Sequence, residues 1–222
     1  MTSDEFIYKW DQSMKKSYAS MRLLGSDPVI LSAEQMAKFA LVFFHVRSHF
    51  APFLWYVGSR VTCREMIHAI CNNVKDEFGV QISHDQLYER FAESVGADVS
   101  LEPAYERYYL DFAKRFNRGH LEWMVTKAEA AIAGAFAAYE RLDNIEYPLL
   151  LDFASRHKVP KDGLAFFAVH ARVTHYDDVK QSLKGYWNQD NEGVKSGFCF
   201  IREHQLEMWR HLENVIVDGL DE

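Results

Sequence analysis

The stretch Asn72-Asn73-Val74-Lys75-Asp76-Glu77-Phe78-Gly79-Val80-Gln81-Ile82-Ser83-His84 sets a helix end beside a helix beginning. Gly79 can take positive φ without a Cβ penalty and so closes the helix before it. Ser83, with Gln86 three positions on, is a capping box that opens the next. Glu77 therefore stands in the last turn of one helix and His84 in the first turn of another. A carboxylate and an imidazole on either side of one short turn can converge on iron, manganese or zinc, for which both are ordinary ligands.

The same helical grammar extends in both directions. From Asp4 to about Leu24, Phe6, Trp10, Met14, Tyr18 and Met21 recur every three or four positions, one face of an amphipathic helix, and Gly25 to Pro28 breaks it. Ser32 and Gln35 form a second capping box before a run through Phe39, Leu41, Phe44, Phe50, Phe53 and Trp55 that is apolar on more than one side, as a central helix is. Further helices are predicted over Thr62 to Phe78, Asp85 to Val95, Pro103 to Phe116 and His120 to Leu142, the last being the longest. Tyr147 to His157, Asp162 to about Leu183 and Val194 to about Leu220 complete the series, with Gly185 to Gly193 as the loosest connection. No segment alternates with period two, and no Asn-Gly or Asp-Gly joins β-branched runs. The fold class is all-α, a bundle of about eight or nine helices in one domain over residues 1–222, with any site built between facing helices.

Composition narrows the function. Of 222 residues 48% are hydrophobic and 14% aromatic, which excludes a disordered chain, while no apolar run approaches the roughly 18 residues of a membrane span. The start Met1-Thr2-Ser3-Asp4-Glu5 lacks the basic and apolar blocks of a signal peptide, so the cytoplasm is the default location. Cys63, Cys71 and Cys199 contain no C-x-x-C pair, which argues against a disulfide framework and a thiolate zinc site and leaves them as expected packing residues. A net charge of −7 without a basic block opposes nucleic acid or anionic membrane as the partner. A small molecule or another protein remains.

Several residues can answer Glu77 and His84. Glu140 lies in the small-residue helix Gly134-Ala135-Phe136-Ala137-Ala138-Tyr139-Glu140, where a buried acid needs a partner or a metal. His170 follows Phe166-Phe167-Ala168-Val169, and on a continuous helix positions 170, 174 and 177 share a face, here His170, Thr174 and Asp177. Three carboxylates and two imidazoles in an all-α chain have the composition of a carboxylate-bridged dinuclear site. His204, Glu207 and His211 share a face of the last helix and are weaker candidates, with a solvated face as the alternative. His45 and His49, at i and i+4 amid Phe43, Phe44 and Phe50, are read as packing or cavity-wall residues.

Asn73-Val-Lys-Asp-Glu77-Phe-Gly, His84-Asp-Gln-Leu-Tyr, Phe91-Ala-Glu-Ser-Val-Gly96, Tyr139-Glu140 and Phe167-Ala-Val-His170 together resemble the haem-oxygenase-like diiron oxidases and oxygenases. Within them the chain is most similar to the chlamydia protein associating with death domains and to the thiaminase-II and pyrroloquinoline-quinone-synthase superfamily, over about Ser32 to Trp209. The resemblance implies a haem-oxygenase-like helical bundle. It also implies a first metal position of Glu77, His84 and bridging Glu140, and a second of Glu140, His170 and Asp177. The second is expected to be weak, because Thr174 stands where the family usually has Asp and Asp177 where it has the last His.

The implied activity is that of a non-haem iron oxidase or oxygenase, with two iron ions, dioxygen as co-substrate and a small organic substrate in a biosynthetic pathway. Tyr139, beside the bridging acid, is a candidate redox-active or supporting group. A helical homodimer is the assembly the resemblance implies. Two alternatives stay open at this level: a metal-independent oxidase of the quinone-cofactor-synthase type, and a non-catalytic binding or interaction protein with a degenerate metal site.

Overall fold

In a computed structural model that describes residues 1–79, 82–172 and 175–220, the chain forms helices and no strands among those residues. They are α1 (Ser3–Ala19), α2 (Ala33–Arg47), α3 (Phe50–Gly58), α4 (Arg64–Phe78), α5 (His84–Ser94), α6 (Glu102–Tyr105), α7 (Asp111–Val125), α8 (Glu129–Arg156), α9 (Lys161–His170), α10 (His175–Gln189) and α11 (Asn191–Val217). The all-α bundle is as expected; the number of segments is higher because several expected helices are interrupted. No described helix is long and apolar enough to cross a membrane.

α8 is the centre of the bundle, rather than the helix that follows Ser32. Every residue from Ala130 to Ala138 is buried, and a helix apolar all round belongs inside. It packs against α9, α10 and most extensively α11. α1 is tied across this pair by Trp10 Nε1, which donates to the Phe198 carbonyl at 3.0 Å, and by Asp11, which takes Arg141 Nη2 at 2.6 Å.

Tertiary contacts override local continuity at three places. The expected helix from Ser32 through Trp55 ends at Arg47, because the His45 carbonyl accepts from Asn117 Nδ2 (2.9 Å) and Ser48 Oγ (3.2 Å) there; the chain restarts as α3. The expected helix at Pro103 is a single turn, α6, closed by Glu106 in the left-handed region with φ of 48°. The helices expected over His120 to Leu142 and Tyr147 to His157 are redistributed. α7 runs on to Val125, and α8 continues through Pro148, whose ring lies on the exposed side while Glu146, Leu150 and Phe153 are buried on the other.

Two smaller expectations are corrected. Cys71 and Cys199 are exposed and Cys63 is half-buried, since they fall on the outward faces of their helices or beside a cap, not in the core. Gly185 lies inside α10, and the connection to α11 is the single residue Asp190, whose side chain caps α11 at Gly193 N.

Candidate metal centre

The turn between α4 and α5 is built as its sequence demands. Gly79 has φ of 63°, and a Cβ there would lie 2.1 Å from the Ile82 carbonyl oxygen, so only glycine lets the chain reverse this tightly. Ser83 accepts from Gln86 N and the Gln86 side chain accepts from Ser83 N, a complete capping box. His84 is thereby fixed as the first residue of α5, on the face that also buries Leu87, Tyr88 and Phe91. Its Nδ1 lies 2.8 Å from Glu77 Oε1. Val80 and Gln81 lie outside the described residues.

α9 brings the second imidazole. Phe91 meets Phe167 and Tyr88 meets Phe166 edge-on, with ring centroids 4.7 and 5.0 Å apart, which seats α9 against α5. His170, the last residue of α9, donates from Nδ1 to the Phe166 carbonyl at 2.8 Å, leaving Nε2 as the free nitrogen, 4.0 Å from Glu77 Oε1. Tyr147 stacks on the same ring at 4.2 Å and 14°. Glu77, His84 and His170 each present one ligand atom within 4.8 Å of the others. Among the described residues no other set of His, Cys, Asp or Glu does this. Metal–ligand bonds of about 2.0–2.2 Å require ligand separations of roughly 3–4.3 Å, so small side-chain torsions suffice to close the set on an ion.

The surroundings set the charge states of Glu77 and His170. Burial alone would raise the Glu77 carboxyl, but the hydrogen bond to His84 and the fields of His84 and Arg47 hold it below the usual range. Burial and the neighbouring His84 push His170 down to about 3, so it is neutral and its lone pair is available. Arg47 is anchored by Asp85 Oδ1 at 2.5 Å and reaches Glu77 Oε2 at 3.7 Å, with its guanidinium over the Tyr88 and Phe166 rings at 5.4 and 5.5 Å.

α8 supplies a row of acids facing this group. Glu140 is 1% exposed; its Oε1 takes Asn73 Nδ2 at 2.6 Å and its Oε2 has no partner. One turn on, Asp143 joins Arg47, Glu77, Glu146, Tyr147 and His170 around an internal cavity of about 40 Å³. Glu146 accepts from Tyr18 Oη, Trp209 Nε1 (3.0 Å) and Gln205 Nε2 (3.1 Å). Burial raises the carboxyls of all three; Glu77 and Asp178 raise Glu140 further, and Glu140, Glu77 and Glu146 raise Asp143. Such a group takes up either protons or a cation.

Glu77, His84 and His170 come together; Glu140 is buried beside them on α8 but outside the tight group. Asp177 does not join them. The shared face of 170, 174 and 177 assumed one continuous helix, whereas α9 ends at His170, Ala171 and Arg172 form a turn, and α10 starts at His175. Asp177 is consequently exposed, beside Arg141 and Tyr176, while Asp178 is the acid whose field reaches Glu140. Thr174 lies outside the described residues.

Tyr139 packs on Phe53 (4.9 Å), Phe50 (5.2 Å) and His120 (5.6 Å) and lines the same cavity as Glu77, Asp143 and His170. His204 donates from Nε2 to the Phe116 carbonyl at 2.8 Å, and His211 pairs with an exposed Glu207 at 3.9 Å, so the last helix adds no ligand to the group. His45 and His49 line a cavity, as expected. Asp143 and Glu146 lie beyond Leu142, where the expected helix stops, so the sequence reading does not include them. Their spacing of three and six from Glu140 is the signal that a longer helix would have revealed.

Glu146 gives a pH test. Its folded carboxyl is raised above its unfolded value, so the stability it contributes is present at low pH and is lost as pH rises from the unfolded value through the folded one. Glu146→Gln, neutral throughout, should therefore cost less stability relative to the parent at about pH 8 than at about pH 5. Urea unfolding at both values checks this; an equal or larger cost at the higher pH contradicts the raised carboxyl.

Residues 37–193 match the model of a family described as iron-containing redox enzymes. Two crystal structures of a CADD-like protein of unknown function from Nostoc punctiforme share the fold. The 1.35 Å structure superposes with a TM-score of 0.72 at 16% identity, covering 97% of this chain and 96% of that one. For the 2.00 Å structure the figures are 0.69, 15%, 95% and 98%. No curated protein matches the chain.

Proposed function

The chain belongs to the family of iron-containing redox enzymes, and from that premise we propose that it is a non-haem iron oxidase or oxygenase of a small organic substrate, with Glu77, His84 and His170 as the ligands of its first iron. The observation that carries this reading is the buried Glu-His-His group, with its free imidazole nitrogen and ionised carboxylate. Bound ferrous iron supplies the electrons with which dioxygen is reduced. The chain's own contribution is orientation. The Phe166 carbonyl fixes the tautomer and plane of His170, and Arg47 fixes Glu77, as groups behind metal ligands commonly do.

A second, weaker ion belongs with the acids of α8. Glu140 Oε2 is a buried oxygen without a partner, and Asp143 lies one turn on at the cavity; Asp177 is exposed elsewhere. The cavity of about 40 Å³ has room for dioxygen or a water or two, since a water requires ~10–15 Å³ of such space. Phe43, Val46, Phe50 and Leu142 form its apolar wall. Glu146, whose carboxyl burial raises, stands at the cavity wall, where Tyr18 Oη, Trp209 Nε1 and Gln205 Nε2 donate to it.

Anaerobic ferrous titration followed by calorimetry tests the ligand assignment. Asp143→Asn is expected to remove the weaker of two binding steps and leave the tighter one, while Asp177→Asn leaves both. The converse pattern would return the second position to α10. Oxygen uptake by the ferrous-loaded chain tests the activity, and a loaded chain that consumes no oxygen above free iron in buffer contradicts the oxidase reading.

A further inference from the structure

A second cavity, of about 350 Å³, opens on the other side of Arg47 and Glu77 and is lined by His49, Glu102, Glu106, Tyr109 and Asn117 among others. Its volume lies in the range of about 300–1,000 Å³ that small-molecule sites occupy, whereas the inner cavity beside His170 is far below it. Glu77 lines both. An organic molecule in the outer cavity therefore reaches the candidate metal centre from the Glu77 side, while the inner one holds only small species.

The polar groups of the outer wall select the charge of the occupant. Asn117 Nδ2 donates to the His45 carbonyl (2.9 Å) and to Tyr109 Oη (2.8 Å). The carbonyl can only accept, which fixes the amide orientation and leaves Oδ1 as an acceptor. That oxygen has no partner, although Asn117 is 6% exposed. His49 Nε2 is likewise buried without a partner, and burial holds this imidazole down at about 4, so it brings no positive charge. Glu102, 3% exposed, takes His45 Nε2 (2.8 Å) and Tyr108 N (3.0 Å) on Oε2, and Glu106 stands exposed at the rim. The one guanidinium, Arg47, is already matched by Asp85 and Glu77. Lys114, over the ring of Tyr109 at 5.6 Å, is paired with Asp111 at 3.6 Å.

We infer that the outer cavity is a binding site for a small organic molecule carrying a primary ammonium, whose donors meet Asn117 Oδ1 and the Glu102 carboxylate while its remaining part extends toward Glu77. An ammonium has three donors and no acceptor, which suits a wall that carries both an unpartnered amide oxygen and a carboxylate. A carboxylate or phosphate in the same place would face acceptors and like charge. That this molecule is the substrate rests on the iron reading above; that it binds does not.

Calorimetry on the full chain with benzylamine, benzyl alcohol and benzoate as probes tests the site, with and without ferrous loading. Benzylamine is expected to bind at least tenfold more tightly than benzyl alcohol, and benzoate more weakly than either. Glu102→Gln is expected to weaken benzylamine about tenfold and Glu106→Gln, whose side chain is exposed at the rim, two- to threefold, both leaving benzyl alcohol unchanged. Benzoate binding as tightly as benzylamine, or benzylamine binding unaltered in both variants, overturns the inference. A chain that takes iron but not the amine loses this site alone, and one that takes the amine but not iron loses the metal reading alone.

Discussion

His170→Ala is expected to lower affinity for ferrous iron by on the order of 100-fold or more, because groups that only orient a metal ligand are already worth 10–100-fold and His170 supplies the donor atom itself. Among the described residues no other His, Cys, Asp or Glu joins Glu77 and His84 in a group of three. Tyr147 lies stacked on the ring, and the remaining ligands, Glu77 and His84, hold each other at 2.8 Å. Linkage separates this loss from any folding defect. With free iron at a hundred times the dissociation constant, the parent gains about 2.7 kcal/mol of stability, whereas a variant binding 100-fold more weakly gains about 0.4 kcal/mol. Anaerobic thermal melts of each protein with and without iron read that gain directly. His68→Ala, at an exposed imidazole, is the control and should behave as the parent. Equal iron-dependent gains in the His170 variant and the parent would remove His170 from the site.

The largest expected effect on stability lies at the crossing of α8 and α11. A Cβ on Gly197 would stand 2.3 Å from the Ala131 carbonyl oxygen and 2.4 Å from Ala135 N; one on Gly134 would stand 2.4 Å from the Val194 carbonyl oxygen. These are backbone atoms, so no rotamer change relieves the overlap and the helices must part. Gly197→Val is therefore expected to cost about 3 kcal/mol or more, at or beyond the upper end of ordinary overpacking. Parting the pair also strains the bonds from Gln205 and Trp209 on α11 to Glu146 on α8. Gly185→Ala is the contrast. Nothing lies within 4 Å of its added Cβ on the exposed side of α10, and replacing a mid-helix glycine should stabilise by roughly 0.5–1 kcal/mol. Urea midpoints of the two variants should move in opposite directions; a Gly197→Val midpoint at the parental value would show that the crossing is not under this constraint.

The sequence by itself determined those features whose physics is confined to a few neighbouring residues. Ser32 with Gln35 and Ser83 with Gln86 are capping boxes as read, and Gly79 has the positive φ expected of it, since a cap satisfies backbone donors within one turn of itself. The meeting of Glu77 and His84 follows from those same local rules, and the all-α class follows from the sum of such signals. Only the tertiary structure decided how far each helix runs and which of its faces meets the site. The His45 carbonyl is drawn to Asn117, 72 positions away, and the helix ends there. α8 passes through Pro148 because its walls are buried by α9, α10 and α11, a constraint absent from the order of its own residues. That continuation turns Asp143 and Glu146 toward His170, and the end of α9 at His170 turns Asp177 outward. Along an uninterrupted helix 3.6 residues per turn fixes a face, but across a break the angle is set by the packing of the two pieces against the rest of the bundle, to which neither carries a local signal.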